Sequence, residues 1–375
     1  MRLERLLQTF SKPFMPSKKN IRLGSGPVFI ILIIALVAAA GFGAWRYYKY
    51  KLVNQEVKKG IYENSNGLYK VTYDNLKIDE AAGFLYVTNL VITPDTALFR
   101  KMIKENKNPP LILRVTIPEL KVTGVKTPKA LLEKNIEGSK LEIKSPDILI
   151  YFAKRPTDSV KRPDSREMYE QILGNLKRIK VDSVEITNSS LAFSDIRTET
   201  KTITGENINI HLRDILIDST SFEDKTRFFF AKNVDVDLEK GVLKNKTGTY
   251  QYLFDAVSFS NTQRTFTVKK VHIKPVLGEA AFVKKARLQT DRFDFIFNDV
   301  SFKNIDLDKL MDESFYADTL IVRDANVKIF RDLSYPRDKV DRRGGYPQQM
   351  LMKMDLPVAI KKLVFRSAFI EYKEF

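Results

Sequence analysis

The chain contains no cysteine. That absence removes disulfides, thiolate metal sites and cysteine nucleophiles together, and it leaves the compartment open, because such a chain tolerates oxidising and reducing surroundings alike. Histidine is nearly as scarce, with only His211 and His272. Each stands between apolar neighbours, Ile210 and Leu212 or Val271 and Ile273, so alternation turns both imidazoles to the polar face of a strand. There they read as solvated residues, not as a metal site. Glycine-rich phosphate loops are missing, and Gly344-Gly345 lacks the strand-to-helix context that a nucleotide needs. Neither Ser-x-x-Lys nor Gly-x-Ser-x-Gly occurs. Acidic residues are scattered beside strand positions, as in Asp235-Val236-Asp237, which suits a solvated face. The sequence points away from an enzyme, with no catalytic residue, cofactor or metal expected.

What is present is apolar and basic. Hydrophobic residues make up 43% of 375 and aromatics 11%, ample for a folded core. The formal charge is +17. Residues 1–26 hold Arg2, Arg5, Lys12, Lys18, Lys19 and Arg22 against Glu4. A basic excess suits nucleic acid or an anionic membrane surface. Here the cations alternate with apolar residues instead of clustering with exposed aromatics, which argues against nucleic acid.

The segment 27–45 carries no charge. As a helix it would span about 28 Å, close to the hydrocarbon thickness of a bilayer. Phe29, Ile30, Ile31, Leu32, Ile33, Ile34, Leu36 and Val37 form its apolar body, and Trp45 begins an aromatic belt continued by Tyr47 and Tyr48. We expect an uncleaved signal-anchor. A cleaved signal peptide is the competing reading, encouraged by Ala38, Ala39, Ala40, Gly41 and Gly43, although the apolar run is long for one. Residues 1–26 then form a basic cytoplasmic tail, in which Leu3, Leu6, Leu7 and Phe10 share a helical face that either lies on the inner leaflet or frays in solvent. Residues 46–67 read as a juxtamembrane helix ending near Gly60. Flanking charge does not set the orientation, with four Arg/Lys in 7–26 and five in 46–65. The bulk of the chain is placed outside the cytoplasm because long β domains translocate regardless of such charge.

Residues 68–375 are dominated by a ten-position pattern that recurs four times. Three alternating apolar residues precede two polar or small ones, then two more apolar residues. The copies are Tyr69-Val71-Tyr73 with Leu76-Ile78, Ile208-Ile210-Leu212 with Ile215-Ile217, Tyr250-Tyr252-Phe254 with Val257-Phe259, and Phe293-Phe295-Phe297 with Val300-Phe302. Period-two alternation puts these side chains on one face of a strand. The extra residue at Asn75, Asp214, Ala256 or Asp299 would flip that face unless a β-bulge absorbs it, which predicts a sheet that bends alike in each copy. From Tyr69 to Pro94 and from Tyr250 to Pro275 the chain aligns with itself without a gap. A second pattern pairs apolar couples across a four-residue gap: Val184-Ile186 with Leu191-Phe193, Leu320-Val322 with Val327-Ile329, and Leu363-Phe365 with Ile370-Tyr372. Internal repetition explains both.

The predicted fold is mainly β with a few short helices: a transmembrane helix followed by an elongated, curved, repetitive antiparallel sheet, groove-like or taco-like. Helices are expected at about 94–106, 127–136, 164–176 and 306–313, and linkers at 154–166 and 334–349. Both linkers join stretches of similar character, so a single array is expected instead of separate domains. The sequence stops within strand-like residues at Phe375, and we expect the array to continue beyond it.

An N-terminal anchor followed by irregularly repeated strands resembles the AsmA-like family, which is related to TamB and to the bridge-like lipid-transfer proteins. The likeness rests on YKVTYDNLKIDEAAGFLYVTNLVITPD (69–95) and IKVDSVEITNSSLAFSD (179–195), with echoes at 318–332 and 361–373. It implies an N-terminal portion of a bacterial inner-membrane protein with most of its chain in the periplasm. It also implies a non-enzymatic β-groove that binds or conducts phospholipid in outer-membrane biogenesis, in contact with outer-membrane assembly or lipid-handling proteins. The candidate groove residues are Tyr69, Val71, Tyr73, Tyr250, Tyr252, Phe254, Phe293, Phe295 and Phe297. The same side chains would also suit a closed sandwich core, in which case the chain would be an anchored scaffold or regulator of outer-membrane protein assembly that carries no lipid.

Overall fold

The computed structural model describes residues 62, 65–79, 81–109, 111–125, 135–153, 176–221, 223–228, 230–245, 247–312, 314–337 and 357–375. The candidate anchor 27–45, the basic tail and most of the juxtamembrane segment lie outside these residues. So do most of the expected helices at 127–136 and 164–176. The alternating stretches form strands, because alternation gives each one apolar face and the β-branched and aromatic residues on it suit a pleated surface.

In chain order the elements are β1 (Tyr69–Thr72), β2 (Asn75–Asp79), β3 (Phe84–Pro94), α1 (Thr96–Lys104), β4 (Leu111–Thr123), β5 (Asn135–Lys144), β6 (Asp147–Phe152), β7 (Arg178–Asp195), β8 (Lys201–Ile217) and β9 (Ala231–Lys244). After them come β10 (Tyr250–Ser260), β11 (Thr265–Pro275), α2 (Glu279–Ala286), β12 (Arg292–Ile305), α3 (Leu307–Met311), β13 (Phe315–Arg331), β14 (Val358–Phe365) and β15 (Ala368–Glu374). All fifteen described strands join one sheet, in which β1 with β2, β5 with β6, and β14 with β15 each share a single rib.

The sheet is mixed, which corrects the wholly antiparallel expectation. β7 runs parallel to β5 and β6, and β13 runs parallel to β14 and β15. A parallel neighbour needs a crossover, and the two expected linkers lie in the connections that lead to these ribs. The apolar couples set 43 residues apart are those parallel neighbours, Leu320 opposite Leu363 and Val327 opposite Ile370. Leu141 opposite Val184 and Ile148 opposite Leu191 repeat the arrangement, so 141–150 is a copy that the sequence reading missed.

Together these pairings define a duplicated unit. β1–β2, β3, α1, β4, β5–β6 and β7 follow the same order and directions as β10, β11, α2, β12, β13 and β14–β15. Tyr69 opposes Pro94 as Tyr250 opposes Pro275. The Tyr69 hydroxyl accepts the Leu113 N–H at 3.2 Å, and the Tyr250 hydroxyl accepts the Phe293 N–H at 3.1 Å. β8 and β9 join the two units.

The expected bulges take another form. Asp255 pairs with Lys270 and Val257 with Val268, so Ala256 stands opposite Lys269 without a shift in register. The same level passes through Asn207, Glu239, Asp299 and Arg323 in one stretch of ribs and through Asp74, Asn89, Ser145 and Asn188 in the other. The strands take their extra residue at one height, so the alternation steps together at one crease and the apolar side chains above and below it stay on one surface, as the joint packing of Phe254, Val257, Val268 and Val271 shows. Between β7 and β8 the register does shift there, around Ser189. Left-handed backbone at Asn89, Ser145, Asn188, Asn207, Ala256 and Asp299 makes the turn, and an asparagine tolerates this region better than most residues. The copy at 208–217 is the exception: its break at Asp214 lies on a second crease that also contains Gly83, Gly124 and Ser139.

Gly83 needs its missing side chain there. Its φ is +60°, and a Cβ would stand 2.6 Å from the Val125 carbonyl oxygen. Gly83→Ala is expected to cost about 2 kcal/mol through strain and a backbone clash. Urea unfolding checks this, and an unchanged midpoint would contradict the close approach.

Two of the expected helices are present, Thr96–Lys104 and Leu307–Met311. The Asp95 carboxylate caps α1 by accepting the Leu98 N–H at 2.8 Å, and Phe99 is fully buried against Leu68, Ile112, Ala153 and Ile196. α2 went unread, although Gly278 before it, Glu279 in its first turn and Lys284-Lys285 in its last are helix signals.

Candidate functional site

The two units bury the same pattern to different extents. In the first, the apolar face merges into one core running from Val71 to Val234, with Leu120, Ile150 and Val184 wholly buried. In the second, the corresponding face is half-exposed, and only Val268, Val300, Val322 and Ala325 form a buried cluster. Val184 and Ile186 are 0% and 1% exposed, whereas their counterparts Leu363 and Phe365 are 57% and 51% exposed.

Register builds this half-open face row by row. Above the crease, Tyr252, Ile273, Phe295, Val327 and Ile370 lie side by side on consecutive ribs. Phe254, Val271, Phe297, Ala325 and Ala368 form the adjoining row. Below the crease, Val257, Val268, Val300, Val322 and Phe365 continue the surface. Phe293, Phe295 and Phe297 run along β12 with ring centroids 5.4 and 6.3 Å apart. Gly241 opposes Phe254, and the absence of a side chain there lets Leu238 and Phe254 cover the gap.

The nine candidate residues therefore divide. Val71 is buried in the first unit's core, and Tyr69 and Tyr73 pack against that core. Tyr250, Tyr252, Phe254, Phe293, Phe295 and Phe297 lie on β10 and β12 of the second unit, joined through Val271 and Ile273 of β11. The two sets stand at separate places in the strand order and make no common site. Burial pushes the Tyr69 and Tyr250 phenols above their ordinary range, and the backbone N–H each accepts offsets part of that shift. Tyr250 also meets the Phe282 ring edge-on at 5.9 Å, so α2 closes one end of the face. The sequence reading passed over Val271, Ile273, Val327 and Ile370, whose alternation matched that of the chosen residues.

The opposite face is polar. Lys140 pairs with Glu142 on its own strand at 3.1 Å and with Glu185 on β7 at 2.8 Å, and Lys144 reaches Glu119 on β4 at 2.7 Å. Lys361 lies 2.6 Å from Asp318 and holds that carboxyl below its usual range. His272 is on this face but is not simply solvated: its Nε2 sits 2.8 Å from an Asp294 carboxylate oxygen. Amides, hydroxyls and carboxylates of the crease, among them Ser145, Asn188, Asn207, Asp237 and Glu239, line a groove of about 680 Å³. Such a lining suits water better than an acyl chain. Among the described residues no cluster of three or more His, Asp or Glu side chains is placed to hold a metal ion, and no helix is long and apolar enough to cross a membrane.

As described, the face presents aromatic and branched apolar side chains in register across five ribs. What it can do is cover something apolar. Comparison with known protein families finds no match, and comparison with curated proteins finds none either.

Proposed function

We propose that the second unit binds the acyl chains of a membrane lipid along the half-exposed face of β10 to β15, and that the chain is a non-enzymatic, membrane-anchored envelope protein that holds or conducts phospholipid. The observation that carries this reading is the contrast between the units. One pattern, in one topology, is sealed in the first copy and left open in the second, with no charged side chain interrupting the open rows. Each methylene that such a surface takes from water is worth about 0.8 kcal/mol, so two acyl chains would bind firmly while a uniform surface would let them slide. The resemblance to the AsmA-like family and the charge-free run at 27–45 support the anchored, periplasm-facing arrangement in the bacterial inner membrane.

Photo-crosslinking tests the site directly. With a photoreactive residue at Phe295 or Tyr252, we expect phospholipid adducts in the purified full chain. The same probe at Lys240, exposed on β9, should give none. Equal yields at all three positions, or no adduct at any, would remove the site.

An anchored scaffold for outer-membrane assembly is the second reading. The sealed first unit favours it, since Tyr69, Val71 and Tyr73 act there as packing residues and need no ligand.

A further inference from the structure

At the end of the second unit closed by α2, two loops are laced together. The Gln289 N–H donates to the Pro336 carbonyl at 2.9 Å, and its side-chain amide donates to the Leu333 carbonyl at 3.0 Å. The Arg292 guanidinium reaches back to the Leu277 carbonyl at 3.1 Å. This rim presents Val276, Leu288 and Leu333 to solvent as separate apolar tips. Beside them Lys284, Lys285, Arg287 and Arg337 are exposed and make no ion pair among the described residues. Among the described residues the acids of the rim are engaged: Glu279 by Lys373 at 2.7 Å, Asp291 by Arg331 at 2.6 Å, and Asp332 by the Ser334 hydroxyl at 2.6 Å. Lys284 and Lys285 also complement the carboxyl end of α2, but that does not explain Arg287 and Arg337, which lie outside the helix.

Spaced apolar tips among uncompensated cations match the interface of an anionic bilayer, where cations meet headgroups and apolar tips enter the acyl boundary. From this we infer that the rim formed by α2, the loop after it and the turn at 332–337 docks on an anionic membrane surface. An acidic protein partner would give no headgroup quenching in the test below, and nucleic acid would leave the apolar tips in water. The inference does not rest on lipid occupying the face below. Rim docking and acyl binding are read by different probes, so either can fail alone.

Because the chain has no cysteine, one introduced thiol labels one place. A fluorophore on Leu288→Cys of the full chain, reconstituted in vesicles with headgroup-quencher lipid, should be quenched when phosphatidylglycerol is mixed with phosphatidylcholine and not in phosphatidylcholine alone. Raised salt should reverse the quenching. A label at Lys240→Cys should stay bright throughout, even though the run at 27–45 would hold the chain on the vesicle in any case. Each cation near an anionic surface is worth about a fivefold gain in association, so K284Q/K285Q should weaken docking about twenty-five-fold. K269Q/R323Q removes the same charge from the crease and should leave docking unchanged. Absent quenching, quenching that ignores lipid charge, or equal loss in both double variants would overturn the inference.

Discussion

Val184→Asp is expected to unfold the first unit, whereas Leu363→Asp, its counterpart in the duplicated second unit, is expected to leave the fold intact. Val184 is wholly buried between Leu141 and Leu212 on the neighbouring ribs. A carboxylate there would lose its hydration without a partner, at a cost of at least about 4 kcal/mol, a large share of a domain's stability. Leu363 is 57% exposed, so an aspartate there stays hydrated and the change should remain within about 0.5 kcal/mol. Circular dichroism melts of the two variants decide the matter. Similar losses in both would mean that the second unit's face is sealed in solution, and the proposed lipid site would go with it.

Phe295→Asp is the companion experiment on the face itself. Phe295 lies in the middle of the open row, between Ile273 and Val327 and in ring contact with Phe293 and Phe297. Losing the apolar contact of one such ring with an acyl chain should reduce lipid retention about tenfold to a hundredfold. The half-exposed carboxylate should cost the free protein little. Retained lipid measured after purification, set beside the melting temperature, separates the two readings. A folded variant that has lost lipid fits the binding face. A variant that unfolds fits a packed scaffold core.

Much of the fold was legible because alternation is a strict constraint. Once one face of a strand is apolar, each residue's side is fixed, so the breaks in alternation were visible, although they were read as bulges and not as a crease, and the likeness of Tyr69–Pro94 to Tyr250–Pro275 was visible as a self-alignment. The direction of pairing was not legible. The couples at Leu320 and Leu363 recur at a constant spacing whether their strands run parallel or antiparallel, and only the crossover settles which. The full duplication escaped notice because its offset differs between the hairpins and the later strands, while single apolar positions exchange freely among Tyr, Phe, Val and Ile. The candidate face was half legible. Tyr69 and Phe293 carry the same sequence signature, and what separates them is whether other parts of the fold cover their rows. Alternation reports which side a residue faces and nothing about what lies over that side.

The crease has a mechanical meaning as well as a geometric one. A β-sheet resists bending mainly through its ladder of interstrand bonds, and opposed positions such as Ala256 and Lys269 fall outside that pairing. The ladder is thinned there but not cut, since the Asp74, Ser145 and Arg366 N–H groups still donate to the Thr88, Thr187 and Val322 carbonyls beside it, so bending is expected to concentrate along this line. The two bands of apolar side chains can tilt about it as hinged panels, and the width of the trough between them can change without any strand slipping against its neighbour.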